Sequence, residues 1–420
     1  MKKNIYYKKG ELEIMKKVIS IFITLVMLFS LTSFTAIAGK SDSFVFDHSN
    51  DDSSFVSYCV QQFDCEEEAF RVVDNVIYKL SDNGKYYSVV FLFDTVKSAK
   101  TKTEINIVDY IDGIPVTRIT NIEWGLFKQY KYGINVTKIT LPDTIKLIGR
   151  YAFAHLYNLE EINLPSSLET LGSAPFLLTK IKQLNIPETT TNIKASAFAG
   201  MEKLTKVTLP KSLTRIPYEC FGGCKKLEKV VFKGNNLTYI GNFAFSNCKS
   251  LKSIKLPSSL MMIDIFAFSE SGLEKITLPK NCDFIRMGAF ADCKKLKKVT
   301  FKAKQVVLRV EVFKNCTSLK TVVNSKNIIG LGSQAFYNCK SLKKFTLGKI
   351  KRNYVGIGSC VFQKCSSLKK LVIVKQSTKE FTRKKIFKGI PKTCKAYVKT
   401  KAMKNTIKKC GFKGKIIIEK

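Results

Sequence analysis

Histidine is almost missing from this 420-residue chain, which has only His48 and His155. That removes most catalysis built on an imidazole base, and any His-rich metal site. Tryptophan occurs once, at Trp124. Acidic residues are outnumbered, 33 Asp+Glu against 71 Lys+Arg, which leaves a formal charge of +38. The chain has no Gly-rich phosphate loop, no G-x-S-x-G and no pair of carboxylates in a fixed frame. No catalytic residue is therefore assigned, and an enzyme is not expected. Paired C-x-x-C motifs are missing too, so neither a metal nor another cofactor is expected. What the chain does have is apolar residues at 45%, enough for a substantial core, and 13 Cys.

The N-terminal stretch reads as an address. Lys16 and Lys17 precede an apolar run from Val18 to Leu31, followed by Ala36-Ile37-Ala38. This order predicts a secretory signal peptide over residues 1–38, cleaved after Ala38. The alternative is a signal anchor that stays in the membrane; the small-residue site argues against it. Lys9-Gly10-Glu11 would be encoded by a purine-rich run just ahead of Met15, so Met15 is the expected true start. No second apolar run is long enough to span a bilayer. The expected location is extracellular, either released or held non-covalently at the cell wall.

Beyond residue 117 the chain repeats. Ala-Phe, or a small variant of it, recurs with Phe at 127, 153, 176, 198, 221, 245, 268, 290, 313, 336, 362 and 387. A period near 23 residues predicts a solenoid. One unit reads Phe245-x-x-Cys248-x-x-Leu251-x-x-Ile254-x-Leu256-Pro257-x-x-Leu260-x-x-Ile263. Leu-x-x-Ile-x-Leu is a strand with alternate residues turned inward. Pro follows it at 142, 165, 187, 210, 257 and 279, where a residue without an N–H donor suits the strand end. Each of these prolines lies 11 residues before the next Phe, so length varies only between Phe and strand. The units of Phe176 and Phe268 are one residue short there and lack the Cys.

The pattern Ala-Phe-x-x-Cys-x-x-Leu-x-x-Ile-x-Leu-Pro resembles the BspA-type leucine-rich repeat of secreted and surface bacterial proteins, over residues from about 105 to 390. The lead-in Asp109 to Thr117 resembles the family's entry into its first repeat, and the closing segment to Ile418 resembles the end of such proteins. The resemblance implies a mostly β repeat solenoid of α/β type. It would be a curved arc with a parallel concave sheet, short turns and 3₁₀ pieces on the convex side, and caps at both ends. The expected organisation is an acidic segment at 39–75, a β-hairpin cap at 76–117 around Asn83-Gly84, repeats at 118–390 and a basic cap at 391–420. The closing cap reads as a short helix over 399–410, then a strand over 415–418.

Six cysteines fall three residues after a repeat Phe: Cys224, Cys248, Cys293, Cys316, Cys339 and Cys365. A buried thiol ladder is the favoured reading, because one Cys per turn suits a small apolar side chain better than a metal ligand. Cys59 and Cys65 are candidates for a local disulfide, and Cys394 and Cys410 for a staple in the C-terminal cap.

In such a repeat the concave sheet shows the residues between the core positions of the strand. Lys138, Lys206, Lys229, Lys275, Lys298, Lys344 and Lys370 share one such column, and Lys255 lies in the next. Neighbouring like charges destabilise a strand pair, and an anionic polymer would relieve them. A merely solvated basic face is the alternative. Neither column contains an aromatic residue up to residue 372, which argues against sugar stacking and single-stranded base stacking. The expectation is therefore an adhesin or surface-interaction module for an acidic surface polymer, acidic glycan or acidic host protein, with no specific nucleic acid. A wall-associated structural protein held to the cell's own anionic polymers is the second reading. A secreted hydrolase with a cryptic site is the third.

Overall fold

A computed structural model describes residues 69–73, 76–92, 104–120, 136–350, 356–374, 378–381 and 385–419. The signal peptide, most of the acidic segment with Cys59 and Cys65, His48, Trp124 and Phe127 lie outside the described residues. The rest is a mostly β parallel solenoid in which each turn of chain pairs with the turn before and after it.

Most turns are laid down in the same order; in the Phe245 unit residues 251–257 form no strand. A long strand such as Lys206–Leu209 buries Val207 and Leu209. The chain then reverses at or near the proline position and forms a two-residue strand such as Arg215–Ile216, with Ile216 buried. A run of tight turns carrying Ala-Phe closes the circuit. The long strands stack in parallel register, Val207 beside Val230 and Ile276 beside Val299. Their short partners build a second parallel ladder, Ile216–Ile240–Ile263–Ile285–Leu308–Leu331. The turns expected opposite the first sheet are present, and this second ladder is built in beside them. The 3₁₀ segments among the described residues, Ser325–Asn327 directly after the long strand Thr321–Val323 and Thr378–Glu380 before the C-terminal helix, lie outside the Ala-Phe turns.

The repeat phenylalanines form the spine. From Phe198 to Phe336 consecutive rings lie 4.9–5.3 Å apart, nearly parallel, and none is exposed. Two left-handed residues flank each ring, at positions Phe−2 and Phe+2. Examples are Phe243 and Asn247 around Phe245, and Glu311 and Asn315 around Phe313, with φ between 56° and 60°. A residue with a Cβ pays about 1–2 kcal/mol for that conformation. Asn, Asp or Gly occupies several of the Phe+2 positions, namely Gly200, Gly223, Asn247, Asp292, Asn315 and Asn338. These three residue types tolerate it best.

At the N-terminal end, Phe70–Val73, Val76–Leu80 and Tyr87–Leu92 form an antiparallel set, with Gly84 left-handed at φ 64° in the connecting turn. Tyr87–Leu92 then pairs in parallel with Ile114–Ile119, which starts the short-strand ladder, while Glu104–Asn106 starts the long-strand one. At the other end Thr400 caps the helix Lys401–Lys409, its side chain accepting from the Met403 N–H at 3.1 Å. Met403 and Ile407 are buried, and the strand Lys415–Ile418 pairs with Lys395–Val398.

Candidate functional site

The long-strand face carries the lysines. Strand register makes Lys206 and Lys229 direct neighbours, and likewise Lys275 and Lys298. The C-terminal sheet aligns four in a row: Lys344, Lys370, Lys395 and Lys415. The sequence reading ended the column at residue 372 and so missed the last two: Lys395 lies eight residues after Phe387, as Lys370 does after Phe362, whereas Lys415 follows no repeat Phe. Their signal is the strand form itself, Lys395-Ala-Tyr-Val and Lys415-Ile-Ile-Ile, with Lys leading an apolar strand. Lys229, Lys275, Lys298, Lys344, Lys395 and Lys415 are exposed, and Lys138, Lys206 and Lys370 are half-buried. Continuing the outward column past residue 372 brings in Tyr397, whose ring lies 4.3 Å from Lys370 Nζ. The face is therefore not wholly free of aromatics.

The face is also not one sheet. It is interrupted between Glu161–Ile162 and Gln183–Asn185, between Lys229–Phe232 and Lys275–Leu278, and between Thr321–Val323 and Lys344–Leu347. The first two new segments begin in the units of Phe176 and Phe268, those one residue short. One residue is about 3.3 Å of strand, so at the first interruption a shortened approach draws the strand out of full pairing with the rung before it. At the second, the full-length Phe245 unit before it also forms no strand over 251–257, so the deletion alone does not make the gap. At the third interruption the left-handed Asn324 leads into Ser325, whose hydroxyl accepts from the Thr346 N–H at 3.1 Å and donates to its carbonyl at 2.8 Å.

A cavity opens beside each interruption, of 770, 910 and 570 Å³ in chain order. Their charges differ. The first pairs Lys138 and Lys182 with Glu160 and Glu161 in its lining, and Lys138 is bridged to Glu104 at 3.3 Å. The second is lined by Lys233, Lys255, Lys275, Lys280 and Lys302 with no acidic residue, and Lys233 is bridged to Glu188 at 3.0 Å. The third is lined by Lys320, Lys326, Lys343 and Lys344, again with no acidic residue. Charge along the chain follows the same gradient: 27 basic against 14 acidic residues over 136–311, then 28 against 2 over 312–420.

The six ladder thiols are fully buried and free. Each donates to the carbonyl of the Phe one turn back, for example Cys224 to Phe198 at 3.0 Å and Cys316 to Phe290 at 3.1 Å. Burial pushes the Cys224 and Cys293 thiols up to about 12, and raises those of Cys248, Cys316 and Cys339 well above the ordinary thiol value. In the two short units hydroxyls stand at the thiol position: Thr179, and Ser271, whose Oγ is 3.2 Å from Cys293 Sγ. Cys394 and Cys410 are both free thiols, so the expected staple does not form; Cys410 instead reaches the Phe381 carbonyl at 3.7 Å. The C-terminal cap is held by the packing of Met403, Ile407 and Phe412, and does not need the bond.

His155 sits in the turn after Phe153 with its Nδ1 3.0 Å from the Tyr157 hydroxyl, and burial lowers its pKa. Among the described residues no group of three or more His, Cys, Asp or Glu side chains is placed to hold a metal ion. No described helix is long and apolar enough to cross a membrane.

The family model described as BspA type leucine rich repeat region matches in six copies, over residues 120–236, 214–343 and 285–417. Among solved structures, a leucine-rich repeat protein from Bacteroides ovatus ATCC 8483 is 22% identical with a TM-score of 0.51, covering 83% of this chain and 100% of that one. The pneumococcal vaccine antigen PcpA is 21% identical with a TM-score of 0.51, covering 84% of this chain and 98% of that one. Both likenesses are of fold. Among curated proteins nothing matches the sequence.

Proposed function

We propose a binding function for this chain, which belongs to the BspA-type leucine-rich repeat family. It acts as a secreted surface-interaction module whose long-strand face takes an anionic polymer, without catalysis. The observation that carries this reading is the unbroken register of Lys344, Lys370, Lys395 and Lys415, in a stretch with 28 basic and 2 acidic residues. In-register strands place the Cα atoms of these lysines about 4.8 Å apart, rung to rung. Like charges at that spacing repel, and a polyanion lying along the ladder removes the repulsion while releasing its own counterions.

The test compares two charge reversals of equal size. Lys395→Glu with Lys415→Glu changes the ladder, and Lys408→Glu with Lys409→Glu changes the neighbouring C-terminal helix. Binding to a polyanion is expected to be lost in the first pair, kept in the second, and to fall steeply with salt. Equal loss in both pairs would reduce the effect to bulk charge and leave a merely solvated face.

A further inference from the structure

We propose that the 910 Å³ cavity at the interruption around Ser253 is a subsite for closely spaced phosphate groups, as carried by a polyphosphate or a poly-phosphodiester chain. The inference rests on the reading of the long-strand face as a polyanion-binding surface, and it names the chemistry taken there. Four of the lining lysines, Lys255, Lys275, Lys280 and Lys302, are exposed and have no carboxylate within 4.0 Å among the described residues. They come from three consecutive turns, so they span roughly 10 Å along the solenoid at about 4.8 Å per rung.

Lysines are the only charged side chains in the lining, and as compact point charges they bind phosphate oxygens without needing a fixed planar fork. Ile254 and Pro257, buried, and Leu256, half-buried, form the floor, and the ammonium groups stand at its solvent-exposed mouth. Ser253 and Ser258 add polar groups at the same opening. The cavity at the first interruption has comparable size but balanced charge, with Glu160 and Glu161 against Lys138 and Lys182. Size alone therefore does not make a site. The sheet opens here around the Phe245 unit, where lysines are the only charged residues lining the gap.

The test uses the full chain and two probes, tripolyphosphate and a glycerol phosphodiester oligomer, titrated by calorimetry at about 0.15 M salt. Lys255→Gln with Lys280→Gln is expected to weaken binding of tripolyphosphate by tenfold or more, and to lower the log–log salt slope by about two. Lys294→Gln with Lys295→Gln, in a nearby turn, should change neither. Thermal unfolding checks that both pairs fold. If the phosphodiester oligomer shows the same loss, the natural ligand class includes diesters; if only tripolyphosphate does, it is restricted to polyphosphate. The subsite is overturned if the cavity pair binds tripolyphosphate as the unmodified chain does, or if the turn pair loses as much. Long-chain polyphosphate separates the two levels. If it binds the unmodified chain and also the cavity pair undiminished, the subsite falls and the face reading stands. If it fails to bind the unmodified chain, both fall.

Discussion

The left-handed residue two places after each Phe shows how a single side chain can serve two turns. Asn315 donates through its amide to Asp292 Oδ1 at 3.0 Å, and Asn338 donates to Asn315 Oδ1 at 2.9 Å. The series stops at Asn338, whose own Oδ1 is buried without a partner. The next residue in that column is Lys364, left-handed at φ 63°. Asn247 is orphaned in the same way, and the residue facing it is Glu270. Lys364→Asn would supply the missing donor and ease the backbone, at the loss of an exposed contact between Lys364 and the Tyr337 ring at 5.5 Å. The urea midpoint should rise by an amount equivalent to about 1 kcal/mol; an unchanged midpoint would refute the account. The ladder thiols make a second residue-scale prediction. Cys224 and Cys293 are raised from 9.0 to about 12. Between those values the unfolded chain has lost thiol protons that the folded chain retains. The unfolded state therefore binds fewer protons, and stability falls as pH rises. Denaturant midpoints should decline from about pH 9 upward, and replacing Cys224 and Cys293 with Ala should flatten that decline.

At the scale of one turn, the repeat is a closed circuit whose parts are not equally tolerant. The Pro-to-Phe arc is 11 residues wherever Pro is present; without Pro the arc from strand to Phe lengthens in places, as before Phe245 and before Phe362, and the rings still stack at 5.1 and 5.8 Å. Phe245 touches a ring on each side, at 5.1 Å to Phe221 and 5.1 Å to Phe268. Phe245→Ala should cost about 3–5 kcal/mol. Hydrogen exchange should quicken in the neighbouring turns as well, because each turn is stabilised by its neighbours. A loss confined to one turn would contradict that coupling. The Phe-to-strand arc tolerates deletion, but the deletion shows on the sheet: both short units start a new sheet segment, and a cavity opens beside each interruption. The deletions were legible in the sequence. Their consequence was not, since it depends on which hydrogen bonds the preceding rung has left to offer.

Across the whole molecule, charge is unevenly shared. With 28 basic and 2 acidic residues over 312–420, the repulsion within this stretch is offset by few ion pairs, such as Lys399 with Glu419 at 4.0 Å. Residues 136–311 have pairs such as Lys225–Glu202 at 2.6 Å and Lys297–Glu274 at 2.8 Å. Raising salt screens repulsion and attraction alike. Amide protection should therefore increase with salt over 344–419 and change little or fall slightly over 183–300. Uniform behaviour along the chain would mean that the gradient has no energetic weight.

The sequence by itself determined the period, the family resemblance, the parallel solenoid and the Phe spine, because each is a local pattern repeated until only one stacking buries it. It also placed most of the face lysines, since a strand alternates its side chains whatever surrounds it. The rest required the folded chain. Lys415 follows no repeat Phe and joins the ladder only because the last strand pairs in register with Lys395; Lys395 and Tyr397 themselves keep the spacing after Phe387 that Lys370 and Val372 keep after Phe362. Cys394 and Cys410 look like a staple in the sequence, yet stand apart as separate thiols once the C-terminal helix packs. Which lysines remain without a carboxylate partner was likewise settled between turns, because an ion pair there joins residues about 23 positions apart that only stacking brings within reach.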